Sequence, residues 1–193
     1  MSAEPLTLDE RAVRGTSSSV MAMILFVASE AMFFMAFFGI YTAAAAAQPV
    51  WPPKQIPLPD IGLPTAGVIV LALSVIPMLL VVRTVRRGGG RRVRAWLLLA
   101  LALGLAFCVL QIAGYGGLGF GIHDGIFASL FYIMTGLGLA HVIGGIVFMV
   151  LVLQQANQLS LRRDPAEALA VYWLFVVVLG VALYVAFYAG VSG

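Results

Sequence analysis

The chain has 193 residues, of which 62% are hydrophobic and only 10% are charged, and its mean hydropathy is +1.06. Soluble domains carry roughly a quarter charged residues, so this composition excludes a soluble protein and indicates an integral membrane protein. The single cysteine, Cys108, and the two histidines exclude an intramolecular disulfide and the usual multi-ligand metal sites, and the net charge of +3 gives no indication of nucleic-acid binding.

Five apolar stretches are long enough for helices that cross a membrane, which takes about 20 residues each. They predict an all-α protein in which residues 1–18 form a cytoplasmic tail and residues 19–193 form a single transmembrane domain. The tail lacks the apolar core and cleavage site of a signal peptide. The predicted spans are residues 19–44, 64–84, 94–115, 124–154 and 167–190.

The basic residues predict how the five spans are oriented, because Lys and Arg concentrate in short cytoplasmic loops. Ten of the 11 Lys and Arg residues flank one side of the spans, and only Lys54 flanks the other. We therefore expect the N-terminus in the cytoplasm and the C-terminus outside, with a basic face that favours anionic lipid headgroups. The ten residues are Arg11, Arg14, Arg83, Arg86, Arg87, Arg91, Arg92, Arg94, Arg162 and Arg163.

The segments between the spans have the composition of connectors. Residues 48–64 contain six prolines, which lack a backbone N–H, so we expect an extended outer loop with Trp51 near the interface. In the glycine-rich loop 115–125, Asp124 is predicted to cap the fourth span. The chain shows no internal repeat, which argues against a transporter built from inverted repeats.

One acidic residue, Glu30, lies within the first span, in the segment FVASEAMFFMAFF (26–38). A charge in hydrocarbon costs on the order of 3 kcal/mol or more, so Glu30 should face the bundle interior and either stay protonated or find a partner. A functional role and a hydrogen bond that only joins two helices both remain open. We expect the neighbouring aromatic residues to pack or face lipid rather than bind a cofactor; they are Phe33, Phe34, Phe37 and Phe38.

The fourth span contains His141, which can reach Glu30. At 1.5 Å per residue, Glu30 lies roughly 16 Å and His141 roughly 20 Å from the cytoplasmic ends of their spans, so the two can meet near mid-membrane. We favour a structural hydrogen bond for His141, because no second metal ligand lies at a useful spacing. Gln111, near the outer end of the third span, is a further candidate for a contact between helices.

A stripe of small residues follows the fourth span at every fourth position. Gly136, Ala140 and Gly144 form this stripe, along which another helix can approach closely. The sequence leaves open whether that helix belongs to the same chain or to another subunit.

Several segments occur in the order typical of one family. SEAMFFMAFFGIYTA (29–43), WPP with LPTAGVIVLALSV (63–75), LQIAGY (110–115), DGIFASLFYIMTGLGLAHVIGG (124–145) and YWLFVVVLGVALYV (172–185) resemble segments of subunit III of haem-copper respiratory oxidases. The resemblance runs over nearly the whole chain from about residue 17. The five spans resemble the short bacterial form, which lacks the two N-terminal helices of the seven-helix form.

The resemblance implies a subunit of the bacterial inner membrane that packs beside catalytic subunit I, together with subunit II, in a proton-pumping complex that reduces O2 to water. It implies that haem and copper belong to partner subunits and that this chain binds structural phospholipids, supports proton uptake and protects the complex from inactivation. The isolated chain is not expected to be catalytic. By resemblance, Glu30 matches the buried glutamate of the family, and His141 matches the second histidine of its fourth-span motif.

Four usually polar positions of the family pattern are small or apolar here, namely Gly114, Gly138, Leu174 and Val177. The scaffold and lipid roles are therefore better supported than a proton-related role. These departures also suit a subunit III-like component of a nitric oxide reductase or another respiratory complex. A small stand-alone transporter and a structural assembly factor are alternatives from other classes, but few polar residues within the spans are available to line a transport path.

Overall fold

The computed structural model describes residues 17–54, 56–57, 60–88, 90–157 and 163–189. Within these ranges every regular element is helical, and five helical segments are long and apolar enough to cross a membrane, which confirms the predicted class. α2 and α3 together form the second segment, and α6 with a terminal π-helical turn forms the fifth. The elements are α1 Ser18–Ala46, α2 Gly62–Leu73, α3 Val75–Arg86, α4 Gly90–Tyr115, α5 Ile126–Asn157, α6 Arg163–Tyr184 and the turn Val185–Ala189.

Several helices extend past the predicted spans. α5 runs to Asn157 instead of residue 154, and α6 begins at Arg163 instead of residue 167. The hydropathy pattern ends with the apolar run, whereas a helix continues into polar surroundings because its backbone groups still bond within it. Pro64, predicted to lie in the outer loop, lies in the first turn of α2, where a missing N–H costs no helical hydrogen bond.

The predicted capping role of Asp124 is wrong. α5 begins at Ile126, and Asp124 Oδ2 accepts a hydrogen bond from the backbone N–H of Gly121 at 2.6 Å. The backbone N–H of Asp124 in turn donates to the carbonyl of Gly121 at 3.1 Å. The carboxylate therefore closes the turn before the helix and does not bond to the first N–H groups of the helix.

The described arginine side chains lie at one end of the bundle, which we call the arginine end; they are Arg83, Arg86, Arg87, Arg92, Arg94 and Arg163. Lys54 lies in the loop at the opposite end. Arg86 Nε donates to Glu167 Oε1 at 2.8 Å and so joins α3 to α6. Arg11, Arg14 and Arg162, like the side chain of Arg91, lie outside the part that the structure describes.

α6 is the helix on which the others assemble. It contacts α1, α2, α3 and α5, and it belongs to the most buried of the five segments. α4 packs against α2, α3 and α5 on the side away from α1. α1 belongs to the least buried segment and is held by α5 and α6. The bundle therefore has a well-covered centre at α6 and a large uncovered apolar face on α1.

Trp173 of α6 fits between two glycines on neighbouring helices and is 0% exposed. A Cβ atom added at Gly145 of α5 would lie 2.7 Å from the indole ring, and one added at Gly104 of α4 would lie 2.9 Å from it. The indole Nε1 donates to Ser74 Oγ at 2.8 Å. One side chain thus brings α4 and α5 close to α6 and also bonds to the junction of α2 and α3.

The junction at Ser74 has a cause in the sequence. Pro77 lacks an N–H, and its ring clashes with the carbonyl four residues earlier, which is that of Leu73. α2 ends at Leu73, and α3 begins one residue after Ser74. The Ser74 hydroxyl donates to the carbonyl of Leu71, so the oxygen that accepts from Trp173 is held in place.

This packing predicts that Gly145→Ala lowers the free energy of unfolding by about 1–3 kcal/mol, because the added methyl group collides with Trp173. Gly136→Ala is the matched control on the same helix, because an added Cβ there meets nothing within 4 Å. We expect the control to be neutral or stabilising by up to about 1 kcal/mol. Thermal unfolding of both variants in the same lipid nanodiscs is the measurement, and equal effects at the two sites would contradict the proposed fit.

Candidate functional site: a glutamate–histidine pair between helices

Glu30 and His141 lie near the middle of α1 and α5 and contact each other. His141 Nε2 is 3.1 Å from Glu30 Oε2, which confirms the predicted contact between the two residues. His141 Nδ1 is 2.8 Å from the backbone carbonyl oxygen of Leu137, one turn earlier on α5. The imidazole is therefore held at both nitrogens, once by its own helix and once by α1.

The two contacts of the imidazole determine where its protons are. The carbonyl of Leu137 can only accept a hydrogen bond, so Nδ1 must carry a proton. Nε2 then either accepts a hydrogen bond from a protonated Glu30 or, as part of an imidazolium, donates one to the Glu30 carboxylate. In both arrangements one proton lies between the two side chains and the pair is neutral overall. A neutral pair avoids the free-energy cost of placing a net charge in an apolar environment.

Aromatic rings cover the pair. The ring of Phe34 lies 5.2 Å and that of Phe175 lies 6.2 Å from the imidazole, centre to centre, both edge to face. Phe34 is buried and Phe33 is exposed, which confirms that this aromatic run divides between packing and outer surface. The aromatic contacts restrict the orientation of the imidazole and exclude water from one side.

The pair lies at the seam between α1 and α5 and not at the centre of the bundle. The side chains of His141 and Glu30 are 14% and 25% exposed. This position differs from a fully interior one, because in the part of the chain that the structure describes α1 packs mainly against α5 and α6. The arrangement can share one proton between the two side chains and can fasten α1 to α5.

Tyr172 is a part of the site that the sequence did not single out. Its hydroxyl donates to the backbone carbonyl of His141 at 3.0 Å and so connects α6 to the turn of α5 that carries the imidazole. The ring of Phe26 stacks on Tyr172 at 6.2 Å. The sequence feature that could have indicated its role is a tyrosine in the middle of an apolar span, because a buried phenol usually finds a hydrogen-bond partner.

The predicted stripe of small residues is not the closest packing surface of α5 within this chain. Ala140 and Gly144 are exposed, and Gly136 has space around it. Gly144 does approach α6, since an added Cβ would lie 3.1 Å from the Tyr172 hydroxyl. The stripe therefore leaves most of its surface available to a neighbour outside this chain.

Two other glycines of α5 lie closer to a neighbouring helix than the stripe does. A Cβ at Gly138 would lie 2.7 Å from Leu183, as close as the one at Gly145 to Trp173. Gly138 and Gly145 are about two helical turns apart and face α6. Gln111, the other predicted helix contact, is half-buried and lines a small cavity between four helices. The recurrence of small residues at every fourth position identified the right helix but not the face that packs against α6, because glycines lie on more than one face of α5.

These features define a multi-pass helical membrane protein with a neutral acid–imidazole pair between two of its helices. The family model described as cytochrome c oxidase subunit III matches residues 8–192. Relatives named cytochrome c oxidase subunit 3 from Hippopotamus amphibius, Cyprinus carpio and Oryctolagus cuniculus are 33%, 34% and 35% identical over 175 residues, which cover 86% of this chain and 67% of each relative.

The chain therefore belongs to the cytochrome c oxidase subunit III family, as the sequence segments predicted. Members of this family are subunits of a larger oxidase complex, which is an oxidoreductase of the respiratory chain.

If Glu30 and His141 share a proton, their substitutions must be strongly non-additive. His141→Phe leaves a half-buried carboxyl without its partner, and Glu30→Leu does the same to the imidazole, so each should cost about 1–3 kcal/mol of stability. The double variant should cost less than the sum by at least about 1 kcal/mol. The parent, the two single variants and the double variant are compared by thermal unfolding in one lipid mixture. Additive losses of stability would show that the contact between the two side chains does not stabilise the protein.

Proposed function

We propose that this chain is the non-redox subunit III of a haem-copper terminal oxidase that pumps protons and reduces O2 to water. The observation that carries the proposal is the family match over residues 8–192, to which the Glu30–His141 pair adds a site of the expected residue types. In this role the chain packs beside catalytic subunit I in a complex that also contains subunit II. The proposal assigns haem and copper to those partners.

We assign the chain to the bacterial inner membrane, with the arginine end in the cytoplasm. The distribution of arginines supports this orientation, because basic residues are retained on the cytoplasmic side. Both Arg86, after the second span, and Arg163, before the fifth, lie at this end. The orientation places the N-terminus inside and the C-terminus outside.

A groove between α1, α3 and α6 supports a role in lipid binding. Its volume is about 360 Å³, and its walls are apolar except near the arginine end, where Arg86 and Glu167 lie. Within a bilayer such a groove fits an acyl chain along its walls, with the phosphate of the headgroup near the guanidinium. The apolar lining consists of Val20, Val75, Met78, Leu79, Val82, Ala170, Val171, Trp173 and Leu174.

We infer that the Glu30–His141 pair supports the partner complex by fixing α1, whose apolar face is the least covered in the bundle. A displaced α1 would alter any surface that it shares with subunit I. Because one proton lies between the two side chains, the pair leaves no net charge near that surface in the membrane. Membership of the family favours this role over a stand-alone transporter.

The proposal predicts that the tagged chain, purified in mild detergent, retains near-equal amounts of a large many-span subunit and a copper-binding subunit. The preparation should show haem absorption bands, and mass spectrometry should identify bound phospholipid. A preparation that reduces nitric oxide but not O2 would instead establish the nitric oxide reductase alternative. A colourless, solitary protein that persists in several gentle detergents would contradict the oxidase proposal.

For the pair itself, Glu30→Ala is expected to leave the complex assembled but to shorten several-fold the number of turnovers before inactivation. The reason is that α1 loses its polar bond to α5. Ser29→Ala is the matched control, because the Ser29 side chain is exposed and donates only to the Phe26 carbonyl of its own helix. O2 consumption is followed to inactivation in purified complexes, and equal lifetimes for both variants and the parent would reject the role.

A further inference from the structure

A second cavity lies between α2, α4, α5 and α6, apart from the Glu30–His141 pair and from the groove. Its volume is about 30 Å³. Unlike the groove, it is bordered by four side chains that can form hydrogen bonds, one from α4, one from α5, one from α6 and one from the turn after α6. These are Gln111, Thr135, Tyr184 and Tyr188.

The bonds that Tyr184 already makes leave its oxygen able to accept. Thr65 Oγ1 donates its single proton to the carbonyl of Ile61. The bond of 2.6 Å between Thr65 Oγ1 and the Tyr184 hydroxyl must then be donated by Tyr184. With its proton used in this way, the Tyr184 oxygen offers lone pairs only.

Thr135, which also lines the cavity, has likewise already donated its hydroxyl proton. Its hydroxyl donates to the carbonyl of Phe131 at 2.6 Å and accepts from the hydroxyl of Tyr115 at 3.0 Å. A hydroxyl oxygen has two lone pairs, so one remains. Thr135, like Tyr184, can therefore only accept a further hydrogen bond.

Tyr188 and Gln111 supply the donors. Tyr188 is only 5% exposed, and within the described part of the chain no protein group is hydrogen-bonded to its hydroxyl. The amide of Gln111 is half-buried and likewise makes no hydrogen bond to the described residues. Neither group belongs to the fully buried polar atoms without a partner, so each reaches accessible space in which a water can bond to it.

We propose that this cavity binds an ordered water molecule that joins the donors of Tyr188 and Gln111 to the acceptors of Tyr184 and Thr135. A water needs roughly 10–15 Å³ of such space and two to four polar partners, so the cavity has room for at least one. The site is too small for a lipid chain or a cofactor. It would connect α4 and α5 to α6 and its terminal turn within a membrane bundle, where polar groups must be satisfied from within. This inference does not depend on the proposed function.

The direct test is a cryo-EM map of the purified protein, with the partners it retains, at about 2 Å resolution. We expect a compact peak within hydrogen-bond distance, about 2.6–3.2 Å, of the Tyr188 oxygen and of at least one of the other three side chains. A cavity without density would overturn the proposal, and so would an elongated density that continues into a lipid tail.

Tyr188→Phe gives a second test, in which the direction of the change in melting temperature distinguishes a bound water from a dry cavity. If the water is bound, the variant removes one of its four partners, so the peak should weaken and the melting temperature should fall by about 2–4 °C. If the cavity is dry, the variant only removes a hydroxyl that has no hydrogen-bond partner, and the melting temperature should stay the same or rise. That result would overturn the proposal.

Tyr41→Phe calibrates the second test. The Tyr41 hydroxyl donates to the carbonyl of Ala186 at 2.7 Å, away from the cavity, so this variant measures the loss of one known bond in the same protein. We expect it to lower the melting temperature by a similar amount, about 2–4 °C, and to leave the water peak in place. Loss of the peak in Tyr41→Phe would show that the density responds to a bond broken away from the cavity and not specifically to Tyr188, and would contradict the assignment.

Discussion

The fit of Trp173 between Gly104 and Gly145 is the interaction on which the arrangement of the helices depends. Lipid chains are as apolar as leucine, so helices in a membrane associate through close packing and hydrogen bonds, with no hydrophobic driving force between them. The indole provides both, because its ring fills the space that the two glycines leave and its N–H bonds to Ser74. The helices α2 to α5 are thereby positioned around α6.

The same turn of α6 positions the candidate site. Tyr172 precedes Trp173, and its hydroxyl bonds to the carbonyl of His141, whose ring meets Glu30. The geometry of the acid–imidazole pair is therefore coupled to the packing of the bundle. In the described part of the chain α1 is held by α5, by α6 with its terminal turn and by this pair, and the site lies where the bundle is least covered. A pair that remains neutral at such a seam suits an accessory subunit that contacts its neighbours within the membrane.

Polar groups elsewhere in the spans follow the same constraint. Thr65 and Thr135 each donate to a backbone carbonyl four residues earlier, so each hydroxyl remains an acceptor for a tyrosine on another helix. These pairs are Thr65 with Tyr184 and Thr135 with Tyr115. Helix-to-helix bonds of this kind fix rotation and depth, whereas the surrounding apolar contacts tolerate sliding. Together with the Arg86–Glu167 ion pair at the arginine end, they hold the helices of the bundle to one another.

The sequence by itself determined the number of membrane spans, because a bilayer requires about 20 apolar residues per helix whatever the helices contact. It also determined that Glu30 needs a partner. Because Glu30 and His141 lie at similar distances from the cytoplasmic ends of their spans, the sequence was enough to indicate His141 as that partner. Only the tertiary structure decided which face of α5 packs against α6. Glycines occur on several faces of that helix, and only the position of Trp173, a residue on another helix, selects Gly145 over Gly136. The roles of Tyr172 and Ser74 could not be predicted from the sequence either. Each depends on a contact between residues distant in the chain and therefore on how the helices are rotated.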